Sequence, residues 1–348
     1  MTQQPHSTGT TGDSTVLEAE VTTATADTAA TPAATEIVGR SPSRMAFLRL
    51  RRDRASMVAL VVAILFILTA ALAPVLSGIE GWGPATPDLK GINPDNGNFP
   101  LGSFGGISGS HWLGVEPGTG YDVFSRLVYG LRTSLIVALI AASLSTLLGV
   151  VVGLASGYFG GKIDTALNWV MNVMLAFPQL LFIIALTPVL TNAFSTDTHG
   201  GTSETLQLGS IIVIIALFAW AYTARLVRGQ VLSLREREFV DAARIMGAGW
   251  KHMLFKQLLP NLWAPILISF ALAVPTNIAT EAALSYLGVG VVPPNPDLGS
   301  MLDAATQYYL YDPTYMVVPG VALLLAVLSL NLLGDGVRDA LDPRANRA

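Results

Sequence analysis

The stretch Glu238–Asn261, EFVDAARIMGAGWKHMLFKQLLPN, decides how this chain is read. It is polar and basic, and it sits between long apolar runs. Phe239, Ala242, Ala243 and Met246 fall on one helical face, with charge on the other. Gly247 and Gly249 supply a turn, and Trp250, Met253, Leu254 and Leu258 then rebuild an apolar stripe. Pro260 ends the pattern just before the next apolar run. Two short helices joined by a turn, with spans entering and leaving them, form a knob suited to a partner's groove.

The flanking runs set the class. The 348 residues are 51% hydrophobic and only 13% charged, with a positive mean hydropathy. A helix needs roughly 20 mostly apolar residues to cross about 30 Å of hydrocarbon. Six stretches qualify: 55–76, 133–159, 165–191, 208–224, 262–280 (continuing towards 286) and 316–333. The fold class is therefore all-α, a polytopic membrane protein with six transmembrane helices. Of the 20 Lys and Arg, 17 fall before the first span, in alternate loops or at the C-terminus. Only Lys90, Arg126 and Arg132 lie on the other side, so both termini are expected in the cytoplasm.

Cysteine is absent, which removes disulfides and thiolate chemistry. The four histidines show no ligand spacing and read as solvated loop residues, so no metal site is expected. Residues 1–39 hold five acids and no base. The tail, taken to residue 43, reads as disordered and cytoplasmic. A basic segment and the first span occupy 44–76. Ala71-Leu72-Ala73 resembles a signal-cleavage site, but the apolar run is too long for a leader, so the span is expected to stay uncleaved. Residues 77–132, rich in Gly, Pro and Asn, read as an extracytoplasmic loop, mostly irregular. Val123, Phe124, Leu127, Val128 and Leu131 mark an interfacial helix at its end. The core of the molecule is 133–335, followed by a cytoplasmic end, 336–348.

Within the spans, Gly149, Gly153, Gly157 and Gly161 recur every four residues and form a ridge for close helix packing, inside this chain or against a partner. Pro178 removes a backbone hydrogen bond and kinks the third span. With Gln179 it either lines a translocation path or makes a static bend. Glu281, an acid in the fifth span, either lines that path or pairs internally with Arg126 or Arg132; the pair is favoured. Arg225 and Arg228, at the end of the fourth span, are expected to reach lipid headgroups.

Asp241-Ala242-Ala243, a gap of three, Gly247 and then Leu259-Pro260 resemble the EAA loop of ATP-binding-cassette importer permeases. The leading Glu is replaced by Asp241, and Gln257 stands where an apolar residue is usual. Further matching stretches are HWLG (111–114), DVFSRLVYGLRTSL (122–135), LAFPQLL (175–181), ARLVRGQVLSLREREFV (224–240), TEAALSYLGVG (280–290) and NLLGDGVRDALDP (331–343). Together they resemble the C-type permease subunit of dipeptide/oligopeptide importers. The resemblance implies a type I importer permease fold and a coupling loop over 235–260. Asp241, Ala242, Ala243, Gly247, Leu259 and Pro260 would seat that loop on an ATPase. The implied partners are a homologous second permease, two ATPase subunits that bind ATP and Mg, an extracytoplasmic solute-binding protein, a peptide substrate and the bilayer. Nickel or another small solute is the alternative cargo.

The chain has no G-x-x-x-x-G-K-[ST] phosphate cradle, so ATP hydrolysis is assigned to a separate polypeptide. A secondary transporter is the rival reading, but charge inside the spans is nearly confined to Glu281. No HExxH or convergent acid–base cluster supports an enzyme.

Overall fold

The computed structural model describes residues 48–194, 204–291 and 293–341. The expected tail and the end of the chain lie outside them. Helix α1 (Arg54–Ala71) starts where the Asp53 side chain accepts the backbone N–H groups of Ala55 and Ser56, each at 3.1 Å. Pro74 lies in the first turn of α2 (Ala73–Glu80), and Gly81 closes that helix at φ 95°. The expected span 55–76 is thus divided at Leu72, because a proline at 74 cannot donate back to residue 70.

The Gly- and Pro-rich segment that follows is a packed cap. Two short antiparallel strands, β1 (Ile92–Asn93) and β2 (Phe99–Pro100), pair Ile92 with Pro100. Ile92, His111, Val115 and Glu116 are buried within it. Asp122 then caps α3 (Val123–Phe159) by accepting the Ser125 N–H at 2.7 Å. This helix of 37 residues is about 55 Å long, well beyond the hydrocarbon thickness. The expected interfacial helix and second span are therefore one continuous element. Nothing between Leu131 and Thr133 breaks the helix, and the first turns of α3 are buried by protein: Val123, Met301, Ala305 and Tyr315 form one cluster.

Helices α4 (Gly161–Ala176) and α5 (Gln179–Phe194) meet at a bend of 92°. Phe177 is extended there, as expected of a residue before proline. Helix α6 (Glu204–Leu234) is followed by α7 (Glu238–Ile245), a second short arm over 250–261, and α8 (Trp263–Tyr286). The capped helix α9 (Leu298–Ala305) and the long α10 (Pro313–Leu341) complete the described chain. Among the described residues, five helices are long and apolar enough to cross a membrane, and the bent pair α4–α5 makes a sixth candidate.

The most extensive contact is between α3 and α6. A β-carbon built on Gly149 would stand 2.6 Å from Thr223 Cβ, one on Gly153 2.6 Å from the Ala224 carbonyl oxygen, and one on Gly157 2.7 Å from Val231 Cβ. The ridge thus lets α6 lie almost backbone to backbone on α3 within this chain. Gly161 does not belong to it. Helix α3 ends at Phe159, which breaks the four-residue register, and Gly161 opens α4 at φ 53° with nothing within 4 Å of where a β-carbon would stand.

Candidate functional site

The hairpin is anchored before it is displayed. Val240 and Ala243 of α7 are buried with Met253, Leu254 and Leu258 of the second arm. They rest on Val150 and Leu154 of α3 and on Val227 and Val231 of α6. This corrects the expectation that Ala243 seats on a partner, since it is buried in the subunit's own core. Ala243 does face inwards, but Phe239, Ala242 and Met246 turn outwards, because Val240 fills the pocket between the helices. Gly247 adopts φ 81° with open space around it, the left-handed turn that only glycine makes without strain. The second arm continues through a π-helical stretch, Met253–Leu258, and a turn of 3-10 helix, Leu259–Asn261, into α8. Leu259 is half-buried and Pro260 exposed.

What the hairpin presents is apolar. Ile245 is 87% and Met246 81% exposed, with Phe239, Trp250 and Phe255 also exposed. Asp241 sits beside them, its carboxylate 3.0 Å from the Arg244 guanidinium across one helical turn. Such an exposed pair is worth only a few tenths of a kcal/mol, ~0.3, so Asp241 is free to meet another partner. Ile245 escaped the sequence reading. Its signal was the register itself, since it follows Ala243 by two positions and so projects away from the buried face.

One ion pair and two arginine hydrogen bonds fix the helices beneath the hairpin. Arg228 grips Asp164 with two hydrogen bonds of 2.6 and 2.7 Å, and the Ser156 hydroxyl donates to the same carboxylate at 2.5 Å. Arg225 donates to Asn172 Oδ1 at 2.6 Å, and Arg235 to the Gly157 carbonyl at 3.1 Å. The expectation that Arg225 and Arg228 reach headgroups fails, because α4 folds back beside α6 and offers Asp164 and Asn172 at closer range.

Pro178 and Gln179 lie at the 92° corner between α4 and α5, both exposed. Glu281 lies far from them in character: fully buried on α8, with Asp297 and Ser134 beside it. Its expected ion pair does not form. Arg126 instead stands 3.0 Å from Glu116 and donates to the carbonyls of Pro84 and Pro294, and Arg132 is exposed. The reason is height along α3. Ser134, the residue level with Glu281, is eight positions from Arg126, about 12 Å along the helix. Neither oxygen of Glu281 has a hydrogen-bond partner among the described residues.

At the cap, His111 is buried rather than solvated. Its Nδ1 lies 2.8 Å from Asp122 and its Nε2 3.2 Å from Asp88, with the ring stacked on Trp82. Glu80 accepts the Trp112 N–H at 2.7 Å, and burial pushes its carboxyl up to about 7, with the Asp122 carboxylate adding to the effect. Burial also raises Glu116, against the pull of Arg126.

Residues 149–347 match the family described as binding-protein-dependent transport system inner membrane component, and residues 41–99 match the N-terminal TM domain of oligopeptide transport permease C. The dipeptide transport system permease protein DppC of Alkalihalophilus pseudofirmus is 34% identical over 87% of this chain and 90% of its own length. The oligopeptide transport system permease protein OppC of Bacillus subtilis is 35% identical, again over 87% and 90%. The glutathione transport system permease protein GsiD of Escherichia coli is 33% identical over 88% and 91%.

Proposed function

This chain belongs to the family of binding-protein-dependent transport system inner membrane components, and we propose that it is the C-type permease of an ATP-driven importer of di- and oligopeptides. The observation that carries the reading is the hairpin: rooted in the packed ends of α3 and α6, it offers Ile245 and Met246 to a groove in another protein. Dipeptide, oligopeptide and glutathione relatives supply the cargo class. The subunit forms half of a translocation pathway, with a homologous permease forming the other half. It catalyses no reaction itself. Two ATPase subunits bind ATP and Mg, and an extracytoplasmic binding protein delivers the peptide. The hairpin and both termini lie in the cytoplasm, and the cap lies outside, in keeping with the Lys and Arg distribution.

The mechanism follows from how the hairpin is held. Val240, Ala243, Met253 and Leu258 bind it to α3 and α6 without slack. A displacement imposed by closing ATPases therefore moves the inner ends of those helices together. The 92° corner at Phe177–Pro178 is the place where the backbone ladder is already broken, so that corner accommodates the movement. Asp241 and Gly247 set the charge and angle of the seat.

The test is co-purification of the ATPase subunits together with peptide uptake by proteoliposomes. Asp241→Lys with Gly247→Val, and separately Ile245→Ser with Met246→Ser, are expected to insert normally yet lose ATPase recruitment. ATP is expected to drive uptake, and a proton gradient alone is not. Full recruitment and uptake in both double variants would remove the hairpin from the mechanism. Uptake driven by the proton gradient would favour a secondary transporter.

A further inference from the structure

The cap holds a cavity of about 460 Å³ between the β1–β2 hairpin, the loop at 102–105 and the start of α10. Its rim is aromatic. Phe104 is 77% exposed although its backbone is held at φ 55°, a conformation that strains any residue with a β-carbon. Tyr311 is also 77% exposed, and its ring meets the edge of Phe99 at 5.6 Å. Exposed aromatic rings gathered at one cavity, rather than scattered singly, mark a binding surface.

Among the lining residues is a carboxylate. Asp312 is 6% exposed, and its Oδ2 has no hydrogen-bond partner among the described residues. A buried acceptor without a donor is costly to leave so. Most of the other nearby acids are already held: Glu116 by Arg126, Asp88 and Asp122 by His111, and Asp297 as the cap of α9, which leaves Asp312 as the carboxylate at this cavity. Aromatic rings and a carboxylate that line one cavity suit a cation, which gains from the ring quadrupoles and the charge together. The lining includes nothing from α4, α5 or α8, so the cavity stands apart from the bent pair and from Glu281.

We propose that this cavity receives a lysine or arginine side chain of the extracytoplasmic binding protein, held between Phe104, Tyr311 and Asp312. The proposal rests on the importer reading, which puts the cap on the side from which cargo is delivered. The cationic side chain is the docking anchor.

The experiment uses the whole transporter in nanodiscs with its binding protein, and measures binding-protein affinity across ionic strengths, basal ATP hydrolysis and ATPase retention. Tyr311→Ala and Phe104→Gly, which keeps a backbone suited to positive φ, are each expected to weaken affinity about tenfold. Asp312→Asn is expected to do the same and to flatten the salt dependence. Basal hydrolysis and ATPase retention should be unchanged in all three. Wild-type affinity in both ring variants would overturn the site and leave the importer reading standing, even if Asp312→Asn proved unstable. A wild-type complex that binds no binding protein would bring down both. Binding of a free dipeptide that is lost on Asp312→Asn would give the cavity to cargo and overturn the docking role.

Discussion

Replacing Gly153 measures how tightly α3 and α6 are pressed together. A β-carbon there would stand 2.6 Å from the Ala224 carbonyl oxygen and 2.8 Å from Val227 Cβ, when ordinary contacts begin near about 3.5 Å. The shortfall is close to 1 Å, and neither neighbour can rotate away, since one is backbone and the other a β-branched carbon. Gly153→Ala gains about 1 kcal/mol of helix propensity and loses about 1–3 kcal/mol to overpacking, so a modest net loss is expected. Gly153→Leu adds three further carbons at the same point and should cost about 3 kcal/mol or more, on the order of a hundredfold in the folded fraction. Gly229 on α6, whose α-carbon faces open space, is the control. Thermal denaturation in detergent, followed by the monodisperse fraction, reads the difference. If Gly153→Leu melts with Gly229→Leu and transports equally well, the close approach of these helices is not what stabilises the subunit.

Arg228→Lys should fail to restore what Arg228→Ala loses, because a single ammonium cannot reproduce the two parallel bonds to Asp164; equal thermal midpoints for Arg228→Lys and wild type would contradict this. The Glu80 carboxyl, raised from 4.5 to about 7, holds its proton longer in the folded state. Its contribution is therefore complete below 4.5 and is lost as pH rises through about 7. The melting midpoint should fall across that window in wild type and less so in Glu80→Gln, and parallel curves would refute the assignment. Single cysteines at Asn96 and Leu310 should react with an impermeant thiol reagent in intact cells, while one at Arg235 should not; labelling at 235 would reverse the orientation.

The spans were legible because each is a long apolar run, and membrane crossing depends on little else. The hairpin was legible as an interruption of those runs, with Gly247 at its turn. Its buried face was not. A helix of two turns has few apolar positions, and both Phe239–Ala242–Met246 and Val240–Ala243 satisfy helical spacing. Only the pocket left by Val150, Val227 and Leu258 selects the second set. The cap was opaque for a different reason. His111 is held by Asp88 and Asp122, 23 and 11 residues away, and no local pattern announces such contacts. Glu281 shows the limit of pairing charges by eye. Arg126 was the right sign on the right side of the membrane, but it stands two helical turns too high.

Helix α3 joins what the sequence presented as separate parts. At one end Asp122 caps it and holds His111 of the cap; at the other the Gly157 carbonyl accepts from Arg235, just before the hairpin. Between them the glycine ridge, Gly149 to Gly157, keeps α6 in contact over about two turns. A rod about 55 Å long, tied at both ends, cannot move at the ATPase side without moving at the cap. In the proposed cycle, then, the docking state of the binding protein and the seating of the ATPases are two readings of one rigid displacement. Breaking that rod in its middle, by inserting a proline at Leu147 where the side chain is exposed, removes an intrahelical bond and kinks the helix. Binding-protein affinity should then stop responding to ATP while both partners still bind. A response of unchanged size would show that the coupling runs through other helices.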